Sequence, residues 1–501
     1  MEEYAMDTPG TTARLSTGIA GLDELLQTGL LPNRAYLVRG GPGAGKTTLG
    51  LHFLTAAPEE KTLYITLSED ESSIRRNAEN IGMQLDNVRF VDLTPRKDAF
   101  LEDQGYDIFL PAEVERKPLT EKLLESIRST QPSRIFIDSL TQFRYLATDD
   151  FQFRKQTLSL FSYLEDLGIT TMFCTENSKE APDEDVQFMA DGIIEIECRT
   201  EGRMLRITKF RGSDFAEGWH FFRLTDHGMR LFPRMKASEH AREFALETVH
   251  SGVPELDELL HGGLSRGTVT VISGPSGVGK TTLGVQYMKE AAGRGERSVI
   301  FTFEETPSTL FHRCRSIGVP IDAMLEQGKL VVHYLEPLRY SAFEFAAMLR
   351  EEVEGYNASI VMIDSAKGFQ LSVRGEDLLT HLHTKCTYLK NMGVTTILIS
   401  EIDTIAGEEF SATNLGVSYL ADTIIFLRYL ELEGELSKAI GVLKKRTGNF
   451  EKSLRKLDIT EYGIKVGRSL CNLTGILTGR PRIVNRTDKH RQADDHVAST
   501  D

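Results

Sequence analysis

The sequence predicts two tandem α/β domains, each built on a mostly parallel β-sheet flanked by helices. Three observations support this fold class: a glycine-rich loop that occurs twice, a long internal repeat around it, and an alternation of apolar and amphipathic segments. The loops at 40–47 and 274–281 fit the pattern G-x-x-x-x-G-K-[ST], and each follows a short apolar run. A chain of 501 residues is long enough for two buried cores of this kind.

The internal repeat extends well beyond the two loops. Residues 17–30 (TGIAGLDELLQTGL) align with residues 251–264 (SGVPELDELLHGGL), at the spacing that also separates the loops. The runs IFIDS and VMIDS, and later ITKFRG and VLKKRTG, follow at nearly the same spacing. A repeat of this length predicts two complete domains rather than a solenoid of short units.

Strand and helix candidates alternate in both halves, which predicts parallel strands covered by helices on both faces. Short runs rich in β-branched residues are typical of strands that are buried on both sides. Helices are expected at residues 121–130 and 343–353. The predicted strands are 35–38, 63–67, 134–137 and 170–174 in the first half and 269–272, 299–303, 360–363 and 395–399 in the second.

Changes in composition along the chain predict the domain boundaries. The segment before the second repeat is charged and lacks strand character, as a linker does, and the last residues are polar with mixed charge, as in a mobile tail. The predicted organisation is an N-terminal arm at 1–14, a first domain at 15–232, a linker at 233–247, a second domain at 248–470 and a C-terminal segment at 471–501.

The overall composition limits the classes of partner. A net charge of −15 argues against tight non-specific binding to DNA or RNA, although a local basic stripe stays possible. No apolar run of about 18 residues occurs, and the N-terminus is acidic, so we expect a cytoplasmic protein without a membrane anchor. Five scattered cysteines without a C-x-x-C pair indicate neither a disulfide framework nor a zinc site.

The two loops predict nucleotide binding, with ATP and Mg²⁺ as ligands. Backbone N–H groups, freed of side-chain bulk by glycine, converge on phosphate oxygens, and the following helix adds the positive end of its dipole. The lysines are expected to reach the β/γ-phosphates and the first threonines to ligate magnesium. The predicted ATP-binding residues are Gly41, Gly43, Gly45, Lys46, Thr47 and Thr48 in the first loop and Gly277, Gly279, Lys280, Thr281 and Thr282 in the second.

Magnesium-assisted phosphoryl transfer also needs a carboxylate near the metal. Asp138 and Asp364 each end an apolar strand, which places them at the carboxyl edge of a parallel sheet, where ligands bind. We expect both to hold the metal, together with Thr47 and Thr281, and helix capping is the alternative role. Glu176 and Glu401, after a later strand, are candidates to sense the γ-phosphate through a water, or else surface carboxylates.

A second carboxylate should orient or deprotonate the nucleophile from the end of the strand next to the loop. The second half has Glu304 and Glu305 there, in FTFEETP, whereas the first half has Ser68 and Glu69. Either Glu69 suffices for the first domain, or that domain hydrolyses ATP more slowly. The alternative for all of these residues is that they cap the next helix.

A basic pair lies late in each half: Lys209 with Arg211, and Lys444 with Arg446. Strand alternation places residues i and i+2 on one face, so both side chains of a pair should point the same way. Such a pair could stabilise transition-state charge on a nucleotide held by a neighbouring subunit. A solvated strand face is the alternative.

Together these motifs resemble the KaiC family, the ATPase and autokinase of the circadian clock, which has tandem RecA-like domains. The resemblance covers roughly residues 14–483 and rests on S/T-G-x-x-x-L-D-E-L-L before each loop, FTFEETP, IDS at both metal positions, the K-x-R pairs and GELSKAIGVLKKR. It implies a double-ring homohexamer with ATP at the subunit interfaces, slow hydrolysis in the first ring and Ser/Thr phosphorylation in the second. Glu304 would be the general base with Glu305 beside it, and KaiB-like or other signalling proteins would be partners. The stretch 471–484 is similar to the family's regulatory loop.

The resemblance also implies phosphorylation sites. The family's phosphorylated pair lies a few residues before the D-T-I-I strand, here 422–425, and counting back gives Ser418 and Tyr419. The serine is therefore present, and tyrosine replaces the neighbouring threonine. Thr413 matches a further threonine of that loop. Relatives without kinase activity tend to have a Glu–His pair here, so Ser–Tyr is closer to the kinase pattern without matching it.

Three functions remain open on the sequence. The first is an ATP-hydrolysing, self-phosphorylating hexamer that acts as a clock or signalling switch. The second is a RecA-like DNA-dependent ATPase, against which the acidic charge and the absence of an added DNA-binding module speak. The third is a switch that ATP assembles and that recruits partners without kinase activity. Stimulation by single-stranded DNA would favour the second, and phosphate on the protein itself separates the first from the third.

Overall fold

The computed structural model describes residues 13–94, 111–145, 147–176, 183–200, 202–373, 377–402, 416–432, 434–471, 473–475 and 482–483. The chain divides into two compact units, with the boundary between Arg234 and Met235. No helix in these ranges is both long and apolar enough to cross a membrane.

The first domain alternates strands and helices up to its sixth strand and then continues as a meander. Its strands are β1 (Ala35–Gly40), β2 (Thr62–Thr66), β3 (Val88–Asp92), β4 (Arg134–Asp138), β5 (Thr170–Glu176), β6 (Gly192–Arg199), β7 (Gly202–Phe210), β8 (His220–Thr225) and β9 (Gly228–Phe232). Its helices are α1 (Ala20–Leu25), α2 (Lys46–Thr55), α3 (Glu71–Asn80), α4 (Pro111–Thr130), α5 (Leu140–Tyr145), α6 (Asp150–Asp166) and α7 (Glu184–Met189).

Within the described residues these strands form one nine-stranded sheet in the order β3-β2-β4-β5-β1-β6-β7-β8-β9. The pairs from β3 to β6 are parallel, and those from β6 to β9 are antiparallel. Successive residues of β1 face opposite sides: Tyr36 and Val38 pack into one apolar cluster, and Ala35 and Leu37 into another. Helices therefore cover both faces of the parallel half, as predicted.

The second domain repeats this architecture. Its strands are β10 (Thr248–Val249), β11 (Leu264–Ser265), β12 (Val269–Gly274), β13 (Ser298–Thr302), β14 (Leu330–Tyr334), β15 (Ile360–Asp364), β16 (Thr395–Glu401), β17 (Thr423–Leu432), β18 (Glu435–Lys445), β19 (Arg455–Thr460), β20 (Gly463–Ser469), β21 (Leu473–Thr474) and β22 (Arg482–Ile483). Its helices are α8 (Pro254–Leu259), α9 (Lys280–Gly293), α10 (Pro307–Ser316), α11 (Ile321–Glu326), α12 (Ala342–Arg350), α13 (Ala366–Gln370) and α14 (Leu378–Asn391).

The main sheet of this domain has the order β14-β13-β15-β16-β12-β17-β18-β19-β20 among the described strands, which is the order of the first sheet. The predicted fold class, two tandem α/β domains with mostly parallel sheets, is confirmed. All eight predicted strands are present, each within about two residues of its expected ends. The helix predicted at 343–353 ends as α12 at Arg350 and continues as a π-helical turn, Glu351–Gly355.

The segment 233–247 was expected to be a linker. From Ala237 onward it lies against the second domain. The Asn391 side chain donates to the carbonyl of Ala237 (2.8 Å), and the Arg242 N–H donates to the carbonyl of Asn391 (3.0 Å). Phe244 packs directly on Gly267 and Gly393, where a Cβ atom would collide with its ring. Most of this segment therefore belongs to the second compact unit, which begins at Met235.

Candidate nucleotide-binding sites

Both phosphate loops connect the central strand of a sheet to a helix. β1 lies between β5 and β6, and β12 lies between β16 and β17. Each loop ends on a glycine with a left-handed backbone, Gly45 (φ 113°) and Gly279 (φ 114°), where an L-residue would be strained. The predicted residues lie in these loops and in the first turns of α2 and α9: Gly41, Gly43, Gly45, Lys46, Thr47 and Thr48, and Gly277, Gly279, Lys280, Thr281 and Thr282.

The loop lysines fold back over their own loops. Lys46 Nζ donates to the carbonyls of Gly40 (2.8 Å) and Gly41 (3.0 Å), and Lys280 Nζ donates to that of Pro275 (2.9 Å). Lys280 Nζ is also 3.8 Å from Glu401. Burial lowers the pKa of Lys280, and the nearby carboxylates oppose that shift. The two ammonium groups therefore lie where each loop would cradle phosphate.

The predicted metal residues meet in both domains. Thr47 Oγ1 donates to Asp138 Oδ2 (2.8 Å), and Thr281 Oγ1 donates to Asp364 Oδ2 (2.6 Å). A hydroxyl and a carboxylate beside a phosphate loop fit magnesium, which prefers oxygen ligands and usually keeps phosphate and water in its shell. No group of three His, Cys, Asp or Glu side chains suited to a metal occurs in the described ranges, so phosphate and water would have to complete the shell.

The two metal aspartates have different surroundings. Asp138 accepts two further hydrogen bonds, from the Tyr64 hydroxyl (2.6 Å) and from the Cys174 thiol (2.9 Å). The matching positions on β13 and β16 are Ile300 and Ile399, which are buried and apolar. Among the described side chains, Thr281 is the one that donates to Asp364. Burial accordingly raises the pKa of Asp364 to about 6.

The second domain gathers its predicted acids in one cavity. Glu304 Oε1 accepts a hydrogen bond from Ser365 Oγ (2.7 Å), and Glu305 pairs with Arg313 (2.6 Å). Burial raises the pKa of Glu305, and Arg313 opposes that shift. The cavity has a volume of about 360 Å³ and is lined by both glutamates together with Gly277, Gly279, Lys280, Thr281, Thr282, Asp364, Glu401 and Lys438. Of these two glutamates, Glu305 has an arginine partner, and Glu304 has none among the described residues.

The first domain lacks the counterpart of Glu304. Ser68 occupies that position, and Glu69 occupies the position of Glu305, where it accepts a hydrogen bond from Asn77 (3.0 Å). Burial raises the pKa of Glu69, and the charge of Asp138 adds to the effect. Ser139, the counterpart of Ser365, has a buried hydroxyl with no hydrogen-bond partner in the described part of the chain. With serine rather than glutamate at residue 68, the Ser139 hydroxyl lacks the acceptor that Glu304 provides for Ser365 in the second domain.

The basic pair of the first domain does not reach its own phosphate loop. Lys209 Nζ donates to the carbonyls of Gln187 (2.9 Å) and Phe188 (3.3 Å), and Arg211 also donates to Phe188 (3.4 Å). Both cations therefore point the same way, as strand alternation predicts, toward the end of α7. Burial lowers the pKa of Lys209, and the charge of Arg211 adds to this.

The basic pair of the second domain holds the segment with the predicted phosphorylation sites. Lys444 Nζ donates to the carbonyl of Ser418 (3.1 Å), and Arg446 donates to that of Tyr419 (3.4 Å). These two residues end a 3₁₀ turn, Val417–Tyr419. Ser418 is half-buried, and Tyr419 is exposed and stacks on His383. Thr413 lies outside the described residues.

Sequence reasoning missed several residues of these sites. Lys438 lines the second cavity, and its Nζ lies 3.4 Å from the carbonyl of Gly277. Tyr429, on the paired strand, donates to the carbonyl of Ser276 (3.3 Å). Arg313 was missed as the partner of Glu305. No sequence motif predicts these three residues at the site. The β17–β18 hairpin brings Tyr429 and Lys438 to the phosphate loop, and α10 brings Arg313 to Glu305.

Fold and sites define a tandem RecA-like, phosphate-loop nucleoside triphosphatase. A family model described as an ATPase, KaiC, matches residues 15–236 and 249–470, so it covers most of the chain. The chain belongs to the KaiC ATPase family.

Three relatives cover nearly the whole chain at low identity. The chain is 27% identical to the circadian clock oscillator protein KaiC of Parasynechococcus marenigrum, over 95% of this chain and 94% of the relative. It is 27% identical to the protein of the same name from Synechococcus elongatus, over 95% and 93%. It is 26% identical to the circadian clock protein KaiC3 of Synechocystis sp., over 95% and 96%.

Proposed function

We propose that this chain is an ATP-hydrolysing, ring-forming autokinase whose second domain transfers the γ-phosphoryl group of ATP to Ser418. One observation carries the proposal. Lys280, Thr281, Asp364 and Glu304 lie around one cavity of the second domain, and within the described ranges the arginine of that cavity pairs with Glu305 and not with Glu304. A free carboxylate beside a phosphate loop suits deprotonation of a hydroxyl nucleophile.

Each residue then has a defined part in the transfer. Lys280 would hold the β/γ-phosphates, Thr281 and Asp364 would hold a magnesium ion, and that ion would supply neutralisation of charge on the phosphates. Ser418 Oγ forms the new bond to the γ-phosphorus as the bond to the β–γ bridging oxygen breaks, and ADP leaves. Glu304 takes the serine proton, and the Ser365 hydroxyl keeps Glu304 in place.

The transfer is proposed to occur between subunits. Ser418 is not among the residues that line the cavity, and the carbonyls of the turn bind the basic pair instead. A neighbouring copy that places its cavity against this turn would bring γ-phosphate, Ser418, Lys444 and Arg446 together. We therefore propose a homohexameric double ring with ATP between subunits, as the resemblance to KaiC implies, and a KaiB-like or other signalling protein as its partner.

Phosphopeptide mapping tests the kinase proposal. After incubation with Mg-ATP, phosphate is expected on Ser418, with Tyr419 or Thr413 as possible second sites. The Glu304→Gln variant, which keeps the size of the side chain, should bind ATP and carry little phosphate. Phosphate on none of the three residues would leave an ATPase, and nucleotide-dependent binding of partners would then support a switch without kinase activity.

Sedimentation with and without ATP tests the assembly proposal. Because the nucleotide would be bound between subunits, it stabilises only the assembled state, and ATP should convert smaller species to hexamers. A monomer in saturating ATP would refute the ring. The rate of ATP hydrolysis is measured on the same samples with and without single-stranded DNA. Strong stimulation of that rate by DNA would favour a DNA-dependent motor instead.

A further inference from the structure

The metal aspartate of the first domain is held by two side chains that the second domain does not have. One oxygen of Asp138 accepts hydrogen bonds from both Thr47 (2.8 Å) and Tyr64 (2.6 Å), and the other accepts from Cys174 (2.9 Å). Three donors from three different elements, α2, β2 and β5, therefore converge on one carboxylate.

The two extra donors are fixed in place by the core. The Tyr64 ring stacks on Phe90 at 5.1 Å and meets the edge of Phe136 at 5.3 Å. Tyr64 and Cys174 are fully buried, and β2 and β5 flank the strand that ends in Asp138. Because a carboxylate only accepts hydrogen bonds, the Tyr64 hydroxyl and the Cys174 thiol are the donors in both contacts.

The two extra donors matter if Thr47 ligates a metal ion instead of donating to Asp138. Tyr64 and Cys174 would then still hold both oxygens of Asp138 by hydrogen bonds. In the second domain Ile300 and Ile399 occupy the matching positions and offer no hydrogen bond. Groups that orient a metal's partners in this way commonly change metal affinity by about 10- to 100-fold.

We infer that Tyr64 and Cys174 are positioning residues that hold Asp138 ready for a magnesium ion and so make the first domain a tight holder of magnesium-bound nucleotide. This inference rests on the proposed function, since it assumes that the first loop binds nucleotide with magnesium. It adds two residues that no phosphate-loop motif contains. It also assigns the first domain the task of holding nucleotide, because that domain has Ser68 where the second has Glu304, the carboxylate that would promote turnover.

The test measures how much magnesium the first domain needs to bind nucleotide. The parent is the full chain with Lys280→Ala, so that binding of a fluorescent ADP analogue reports mainly on the first loop. Affinity is measured in excess EDTA and along a magnesium titration. Tyr64→Phe should raise the magnesium concentration for half-maximal binding by about tenfold, and Cys174→Ala by about threefold, with affinity in EDTA unchanged.

Matched variants separate positioning from general damage. Tyr36→Phe removes another buried tyrosine hydroxyl of this sheet, whose hydrogen bond goes to the carbonyl of Leu31 (2.8 Å), and should leave the magnesium requirement unchanged. Cys174→Ser keeps a donor and should restore the parent value. An unchanged magnesium requirement in Tyr64→Phe, or an equal loss of affinity in EDTA, would overturn the inference. A parent that binds no nucleotide would refute the proposed function of the first loop itself.

Discussion

The two domains have the same strand order and the same loop, yet they surround the nucleotide site differently. In the first domain the aspartate predicted to hold metal, Asp138, has three hydrogen-bond donors, and Ser68 occupies the position that matches Glu304. In the second domain the aspartate has one donor and a raised pKa, and the glutamate is present. We propose that a few side chains at strand ends adapt the same fold to hold a nucleotide in the first domain and to transfer its phosphoryl group in the second.

The largest expected effect comes from removing the loop lysines. Lys280→Ala should abolish phosphorylation of the protein, because its loop would no longer hold the β/γ-phosphates. Lys46→Ala should mainly impair assembly. Phosphopeptide mapping and sedimentation of both variants distinguish these outcomes. If Lys46→Ala removed all phosphorylation from preassembled hexamers, the proposed division of labour would be wrong.

The next prediction restores the missing acid. Ser68→Glu should increase ATP hydrolysis in the first domain by about 100-fold or more, because a carboxylate would return beside the loop and could pair with the orphaned Ser139 hydroxyl. The assay uses a Glu304→Gln background, which silences the second domain.

Two further variants make this comparison strict. Ser68→Gln has the size of glutamate without its basicity and should give no gain. Adding Ser139→Ala to Ser68→Glu should reduce the gain, because the new carboxylate would lose its positioning hydroxyl. Equal activity in the Glu and Gln variants would show that the first domain is slow for another reason.

A smaller effect concerns stability and pH. The folded chain raises the pKa of Asp364 from 3.8 to about 6, so the folded state binds the proton more tightly and Asp364 destabilises the second domain as pH rises through that window. Asp364→Asn should therefore stabilise the nucleotide-free protein at pH 8 by about 2 kcal/mol. The gain should shrink at pH 5, where the acid is already largely protonated.

Calorimetry at the two pH values measures this effect, and Asp138→Asn is the matched variant. An asparagine at residue 138 would keep only one of the two acceptor oxygens, so its N–H₂ group would face either the Thr47 and Tyr64 hydroxyls or the Cys174 thiol, and that variant should lose stability by about 1–3 kcal/mol. A gain for Asp364→Asn that was the same at both pH values would contradict the burial of that carboxyl.

The smallest predicted effect tests a residue beyond the motifs. Lys438→Ala should weaken nucleotide binding to the second domain by about 1 kcal/mol, roughly fivefold, because the ammonium lies beside the phosphate loop. Lys456→Ala is the control. This lysine lies on β19, the strand next to that of Lys438, and pairs with Asp458 of its own strand, so its removal should leave nucleotide affinity unchanged. Equal affinity in both variants would place Lys438 outside the site.

The sequence alone predicted most of the fold, because the signals involved are local. Loop glycines, β-branched runs and the repeat predicted two mostly parallel sheets, and both sheets are present. Strand alternation also predicted that the two side chains of each basic pair point the same way. Lys209 and Arg211 do so, as do Lys444 and Arg446. The order of the antiparallel half of each sheet lay beyond such reasoning, since hairpin pairing depends on contacts between strands.

At the sites, sequence determined which residue types are available, and tertiary structure decided which of them meet. The phosphate-loop motif predicted Thr47 and Thr281 as metal residues, and the ends of two apolar strands predicted Asp138 and Asp364. Only the folded sheet showed that Tyr64 and Cys174 reach Asp138, since they come from strands far apart in the chain. Burial, which sets the pKa of Asp364, is likewise a property of all the surrounding atoms, and no local pattern encodes it.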